Sequence, residues 1–187
     1  MQSFFDEIKH FNKIVIGGNS ASGKSTLAKI MAETKGLPYY SFDKLFWRPD
    51  WKGPDPEKFK KTVTDICKQD KWIFEGGARL IEERCDAADC MIYINTPIPL
   101  CLWRALARCY RLIVLKKERD TLPQGCTPMI SWFLVRYIIL FPYKKKVLER
   151  MAVKVSKTKK LIILNTKDLD NIRLAYKTSK EDGEVAG

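Results

Sequence analysis

Histidine is almost missing from this 187-residue chain: His10 is the only one, and it lies ahead of the first recognisable strand. Histidine-based acid–base catalysis and a histidine-rich metal site are thereby excluded. The six cysteines, Cys67, Cys85, Cys90, Cys101, Cys109 and Cys126, contain no C-x-x-C pair. That argues against a zinc site and for reduced thiols in a cytoplasmic setting. Long apolar runs are lacking too. The longest stretch, Met129 to Pro142, is interrupted by Ser131 and Arg136 and is too short to span a bilayer. No basic–apolar–small leader opens the chain, so neither a secretory signal nor a membrane partner is expected. Acidic residues are scarce in one region only. Residues 101–160 hold 15 Lys/Arg against 3 Asp/Glu, whereas residues 1–100 hold 15 against 14, so the net charge of +12 is concentrated in one part. An anion or a polyanion is met there, which keeps nucleic acid among the partner classes.

What is present is organised around Ile14-Val15-Ile16-Gly17-Gly18-Asn19-Ser20-Ala21-Ser22-Gly23-Lys24-Ser25-Thr26. Gly18 to Ser25 spells G-x-x-x-x-G-K-S, the phosphate-binding loop pattern. The glycines free the backbone to turn successive N–H groups toward an anion. Lys24 offers a cation to the β/γ-phosphates, and the Ser25 hydroxyl suits Mg²⁺. A β-branched run precedes the loop and a helix-forming segment follows it, so phosphate would meet a helix N-terminus.

Hydrophobic residues make up 45% of the chain and charged ones 30%, which with this length suits a single α/β domain. Phe4, Ile8 and Phe11 predict a short amphipathic helix in an N-terminal extension over 1–12. A strand over 13–17 and a helix ending near Gly36 come next. The run 37–42 reads as a second strand delivering Asp43. Pro- and Trp-rich loop follows, and then a helix over 56–69 capped by Asp55. A third strand ends in Glu75-Gly76-Gly77, a short helix covers about 79–85, and a fourth strand covers 90–94. Pro97 to about Leu115 is helical, with Leu102, Leu106 and Cys109 facing inward and Arg104, Arg108 and Arg111 in a row. Residues 116–128 lose periodicity and gain charge, Pro and Gly, the composition of a lid segment. Helix resumes over 129–155 with a kink at Pro142, a fifth strand spans 161–164, and a last helix starts at Asp168. The polar tail, 179–187, is expected to be flexible. Alternating strands and helices imply a three-layer α/β/α fold on a five-stranded parallel sheet with a helical lid excursion. Gly17, Asp43, Glu75 and Asn95 would then share the carboxyl rim, where ligands bind.

Together, the phosphate loop, Glu75-Gly76-Gly77-Ala78-Arg79 and the Arg-rich helix before a lid resemble the adenylate-kinase-like nucleoside monophosphate kinases. Their third strand ends in D-G-F-P-R, of which this chain keeps the first, second and fifth letters in kind. Phe42-Asp43-Lys44-Leu45-Phe46-Trp47-Arg48-Pro49-Asp50-Trp51 is similar to a D-x-L-F-W-x-P-x-W signature. With Leu102-Trp103-Arg104 and Pro123-Gln124-Gly125-Cys126, that signature resembles the FlaR-like "DNA topology modulation" branch. The resemblance implies ATP and Mg²⁺, held by Gly18, Asn19, Ser20, Ala21, Ser22, Gly23, Lys24, Ser25 and Thr26, with Glu75 reaching the metal through water. It also implies that Asp43 orients an acceptor hydroxyl, that Arg79 grips the acceptor's phosphate or carboxylate, and that Arg104 and Arg108 flank the donor. Arg119 and Arg136 would stabilise charge from the lid region, while Arg111 reads better as a solvated helix face. The acceptor would be a nucleotide or a hydroxylated metabolite; the alternative is an ATP-binding protein that tracks nucleic acid with its basic region. Two departures stand out: Asn95 replaces the branch's Asp, and the lid lacks the four-cysteine zinc arrangement of some adenylate kinases. Trp47 and Trp51 read either as an aromatic wall for a planar acceptor or, slightly better, as core.

Overall fold

A computed structural model of the chain describes residues 2–77, 79–115, 125–126, 132–141 and 159–185. Its centre is a five-stranded, all-parallel sheet in the order β2-β3-β1-β4-β5. The strands are β1 (Lys13–Gly18), β2 (Tyr39–Ser41), β3 (Trp72–Glu75), β4 (Cys90–Ile94) and β5 (Lys160–Leu164). Parallel strands covered on both faces need apolar residues throughout, and β3 and β4 are buried at every position.

Strand alternation divides the core into two layers. Val15, Trp72, Phe74, Met91 and Tyr93 face one side, where they meet α4 (Pro56–Lys68) through Phe59, Val63 and Ile66, and α5 (Ile81–Ala87) through Ile81 and Cys85. Ile14, Ile16, Ile73, Ile92 and Ile94 face the other side. They are covered there by α1 (Gln2–Ile8) with Ile8, α2 (Lys24–Lys35) with Leu27, Ala28 and Met31, and the last helix (Thr166–Val185) with Leu169 and Ile172. This is the three-layer α/β/α arrangement expected of the sequence. No helix among the described residues is long and apolar enough to cross a membrane.

Local chemistry sets the element ends. Asp55 accepts from the Lys58 N–H at 2.9 Å, with Pro56 at the first helical position, so α4 begins where its sequence predicts. The second strand is shorter than predicted. After Ser41 the chain turns at once into α3 (Phe42–Phe46), so Asp43 sits in a first helical turn, two residues beyond the strand. The last helix starts at Thr166, because Asn165 Oδ1 accepts from the N–H groups of Lys167 and Asp168 while Asp168 accepts from the Asn165 N–H. It then runs past Thr178 to Val185, where polar composition predicts a flexible tail. Contacts of Tyr176 and Lys180 with Glu33 tie it to α2.

Helix α6 (Ile98–Ile113) keeps Cys109 of the predicted inward stripe buried and Leu102 partly buried, but is rotated so that Leu106 is turned outward. Cys101, Ala105 and Cys109 face inward, while Leu106 is 47% exposed. The helix is apolar nearly all round, with Trp103, Tyr110 and Ile113 also exposed, so periodicity alone does not select the stripe. Packing of Ala21 and Ile138 against Cys101 and Ala105 decides it. Of the predicted helix over 129–155, α7 (Trp132–Ile139) is described, whereas Pro142 lies outside the described residues. The final helix, Thr166–Val185, is α8.

Candidate active site

The carboxyl rim of the sheet gathers the loop residues together with Asp43 and Glu75. Gly18 ends β1 at φ 143°, and a Cβ there would stand 2.7 Å from the Ile94 carbonyl oxygen. The backbone thus passes too close to β4 for any side chain. The Asn19 side chain is buried. Its Nδ2 donates to the Ile138 carbonyl of α7 at 3.2 Å, and its Oδ1 accepts from the Ser20 N–H at 2.7 Å. Ala21 has φ 58° and packs on the small cluster of α6 and α7. The carbonyl of buried Ser22 accepts from Thr96 Oγ1 at 3.1 Å and from Arg104 Nη1 at 3.4 Å. Gly23 caps α2, whose first turn carries Lys24, Ser25 and the half-buried Thr26.

Lys24 Nζ donates to the Asn19 carbonyl at 2.6 Å. Burial lowers its pKa from the ordinary 10.5, while the carboxylates of Glu75 and Asp43 act in the opposite direction. Half-buried Arg108 on α6 is likewise pushed down by burial and pulled up by Cys109 and Asp43. Asp43 therefore lies within electrostatic reach of both cations, although its own side chain is exposed. Glu75 is 2% exposed and accepts at Oε1 from Ser41 Oγ at 2.9 Å, Ser25 Oγ at 3.2 Å and Tyr39 OH at 3.2 Å. Two hard oxygen donors, Ser25 Oγ and a buried carboxylate, side by side at a helix N-terminus fit Mg²⁺, which takes few protein ligands and keeps its waters.

The other predicted positions are more dispersed. Arg79 is exposed, with its guanidinium carbon 4.9 Å from the centre of the Phe46 ring. Arg104 also pairs with Asp170 of α8 at 3.8 Å. Arg111 donates back to the Ala107 carbonyl on an exposed face. Arg136 is exposed on α7, and Arg119 lies outside the described residues. Asn95 donates its N–H to the Leu164 carbonyl at 2.8 Å. Trp47 is partly buried against the core and edge-on to Phe46 at 4.8 Å and to Trp51 at 5.7 Å. Of the lid segment, Gly125 and Cys126 are described, and they dock on this tryptophan turn. The Asp50 N–H donates to the Gly125 carbonyl at 3.2 Å, and Cys126 Sγ donates to the Arg48 carbonyl at 3.2 Å. Two stretches singled out separately in the sequence therefore touch.

Sequence reading misses Arg84. It is fully buried, and it donates to the carbonyls of Gly76 at 2.6 Å, Gly77 at 2.6 Å, Arg79 at 3.1 Å and Leu80 at 3.2 Å. Its guanidinium lies over Phe74 and Phe42, 4.8 Å and 5.3 Å from the ring centres. The signal is present in the spacing: Ile81, Arg84 and Cys85 share one helical face, and both neighbours of the arginine are buried. Gly77 completes this packing. It takes φ 60°, and a Cβ there would stand 2.2 Å from the Phe42 ring. Tyr39 and Ser41 on β2 and Thr96 in the loop after β4 are missed as well, since single hydroxyls carry no pattern.

A phosphate-binding loop between the central strand of a parallel sheet and its first packed helix defines the P-loop α/β/α class. No family model and no curated protein matches the chain. Among solved structures it is similar to a shikimate kinase from Bacteroides thetaiotaomicron (18% identity, TM-score 0.47, 93% of this chain and 99% of that one). A shikimate kinase from Acinetobacter baumannii in complex with shikimate gives 14% identity, TM-score 0.49 and coverages of 95% and 97%. A gluconokinase from Sinorhizobium meliloti 1021 gives 13%, 0.41, 74% and 97%. At these scores the fold assignment rests on the strand order and the loop.

Proposed function

We propose that the protein is an ATP-dependent phosphotransferase that moves the γ-phosphoryl group of ATP to a small hydroxylated acceptor. The observation that carries this reading is the convergence of Lys24, Ser25, Glu75 and Asp43 on one rim, with Ser25 and Glu75 in hydrogen-bond contact and Asp43 acting electrostatically on Lys24 and Arg108. In this reading the loop N–H groups from Gly18 to Thr26 hold the donor phosphates, and Lys24 neutralises charge on the transferring group. Arg104 and Arg108 flank the donor. Ser25 and Glu75 would hold Mg²⁺, which when bound neutralises phosphate oxygens. Asp43 accepts the proton of the acceptor hydroxyl as its oxygen bonds to phosphorus and the bond to ADP breaks. Arg79 holds an anionic group of the acceptor in a bidentate fork, and Arg119 and Arg136 add positive charge from the lid side. Such catalysis is mostly positioning and electrostatics.

The resemblance to the FlaR-like branch is a proposal of kinship and leaves the acceptor open. A nucleic-acid role gains no support from the basic region, part of whose charge is engaged within the chain. Arg104 and Arg108 serve the site, Lys160 pairs with Glu7 at 2.7 Å, and Lys159 contacts the Asp86 carbonyl.

The test is acceptor-dependent ADP formation across nucleoside monophosphates, sugars and hydroxy acids, in wild type and Lys24→Ala. The variant is expected to fold and to lose turnover. ATP consumption unchanged in the purified variant overturns the reading.

A further inference from the structure

Glu75 has one methylene more than the aspartate that ends the third strand in the related kinases, and so one more rotor to fix before its carboxylate can serve a metal. The strand register supplies the means. Ser41 is the direct partner of Glu75 across the β2–β3 pair. Tyr39, two residues earlier on β2, lies on the same face. Ser25 approaches from the start of α2. All three hydroxyls meet the same oxygen, Oε1, at 2.9, 3.2 and 3.2 Å, and none of them meets Oε2.

We propose that Tyr39 and Ser41 are positioning residues that lock the Glu75 carboxylate through Oε1, leaving Oε2 for a water on the divalent cation that accompanies the bound nucleotide. The proposal rests on the phosphotransferase reading of the site. It assigns β2 a role in metal binding besides delivering Asp43. It also accounts for glutamate here: the longer side chain works because hydroxyls on the neighbouring strand remove its added freedom.

The experiment uses the full chain and a fluorescent ATP analogue, titrated in EDTA and again with Mg²⁺. For Tyr39→Phe/Ser41→Ala, affinity in EDTA should stay within about twofold of wild type, while the Mg²⁺ enhancement falls about tenfold, the usual cost of losing outer-shell partners. Tyr39→Phe alone removes one oxygen and should give a smaller loss in the same direction. Restoring a hydroxyl with Ser41→Thr should recover most of the enhancement. Glu75→Gln separates the two ideas. If it loses the enhancement while the double variant keeps it, the lock is overturned and the site reading stands. A wild type without Mg²⁺ enhancement, or Glu75→Gln with the wild-type enhancement, overturns both. A double variant that loses affinity equally in EDTA and in Mg²⁺ reveals only a structural role and overturns the lock.

Discussion

Arg84 Nη1 donates to the Gly76 carbonyl at 2.6 Å from a side chain with no exposed surface. Its partners are the carbonyls of the β3–α5 loop and the faces of Phe42 and Phe74. Burial pushes the guanidinium down to about 10, so it stays protonated at neutral pH. Arg84→Met would leave several buried carbonyls without donors and should cost about 3–5 kcal/mol. Arg84→Lys keeps the charge but loses the planar fork, and should cost about 2 kcal/mol. Urea unfolding midpoints measure both. A methionine variant as stable as wild type would contradict the assignment of Arg84 as the organiser of this loop.

Asn19 joins the phosphate loop to α7 through its bond to the Ile138 carbonyl. Asn19→Ala removes that bond and the acceptor for the Ser20 N–H, and should lower stability by about 1–3 kcal/mol. Asn19→Asp keeps the acceptor but sets a carboxylate against the Ile138 carbonyl and beside the position proposed for the donor phosphates. Its affinity for the fluorescent ATP analogue should be about tenfold or more below that of Asn19→Ala, because like charge meets like charge in a partly desolvated loop. Equal affinities for the two variants would argue against phosphate lying next to Asn19.

Cys90 is fully buried within the sheet, and burial pushes its thiol from 9.0 up to about 12. The sign of the pH effect follows. The folded pKa lies above the unfolded one, so between 9.0 and about 12 the unfolded chain has released a proton that the folded chain keeps. Stability should therefore be unchanged below pH 9 and fall as pH rises through that window, by about 2 kcal/mol at pH 10.5 from this residue. Cys90→Ala should flatten the decline between the two midpoints measured at pH 8 and pH 10.5. A slope identical to wild type would remove Cys90 as a contributor.

The parts of the fold most legible in the sequence are those where local chemistry and burial agree. Cys90–Ile94 is a strand in any reading because every residue suits a two-sided interior. Asp55-Pro56 starts a helix because a side-chain cap and a fixed φ coincide. Legibility fails where two answers satisfy the same local rule. α6 offers several apolar stripes, and only the partner surface of Ala21 and Ile138 selects Cys101, Ala105 and Cys109. For Arg84 the spacing with Ile81 and Cys85 marks a buried face, but that local signal does not say which four carbonyls the guanidinium meets. In the site, the Gly18–Ser25 loop is carried by spacing alone. The Tyr39 and Ser41 contacts with Glu75 depend on a strand register that becomes definite only in three dimensions.

The walls of the phosphate loop come from segments that follow it in the sequence. Gly18 lies against Ile94, Ser22 receives Thr96 and Arg104, Asn19 reaches Ile138, and Gly23 abuts Leu169. During synthesis the Gly18–Ser25 loop is therefore made before every one of the segments that enclose it. A ribosome-bound chain that stops before β4 carries the whole motif without its enclosure. Such a nascent chain should gain nothing from ATP, and ligand-assisted folding begins only once α8 has left the exit tunnel.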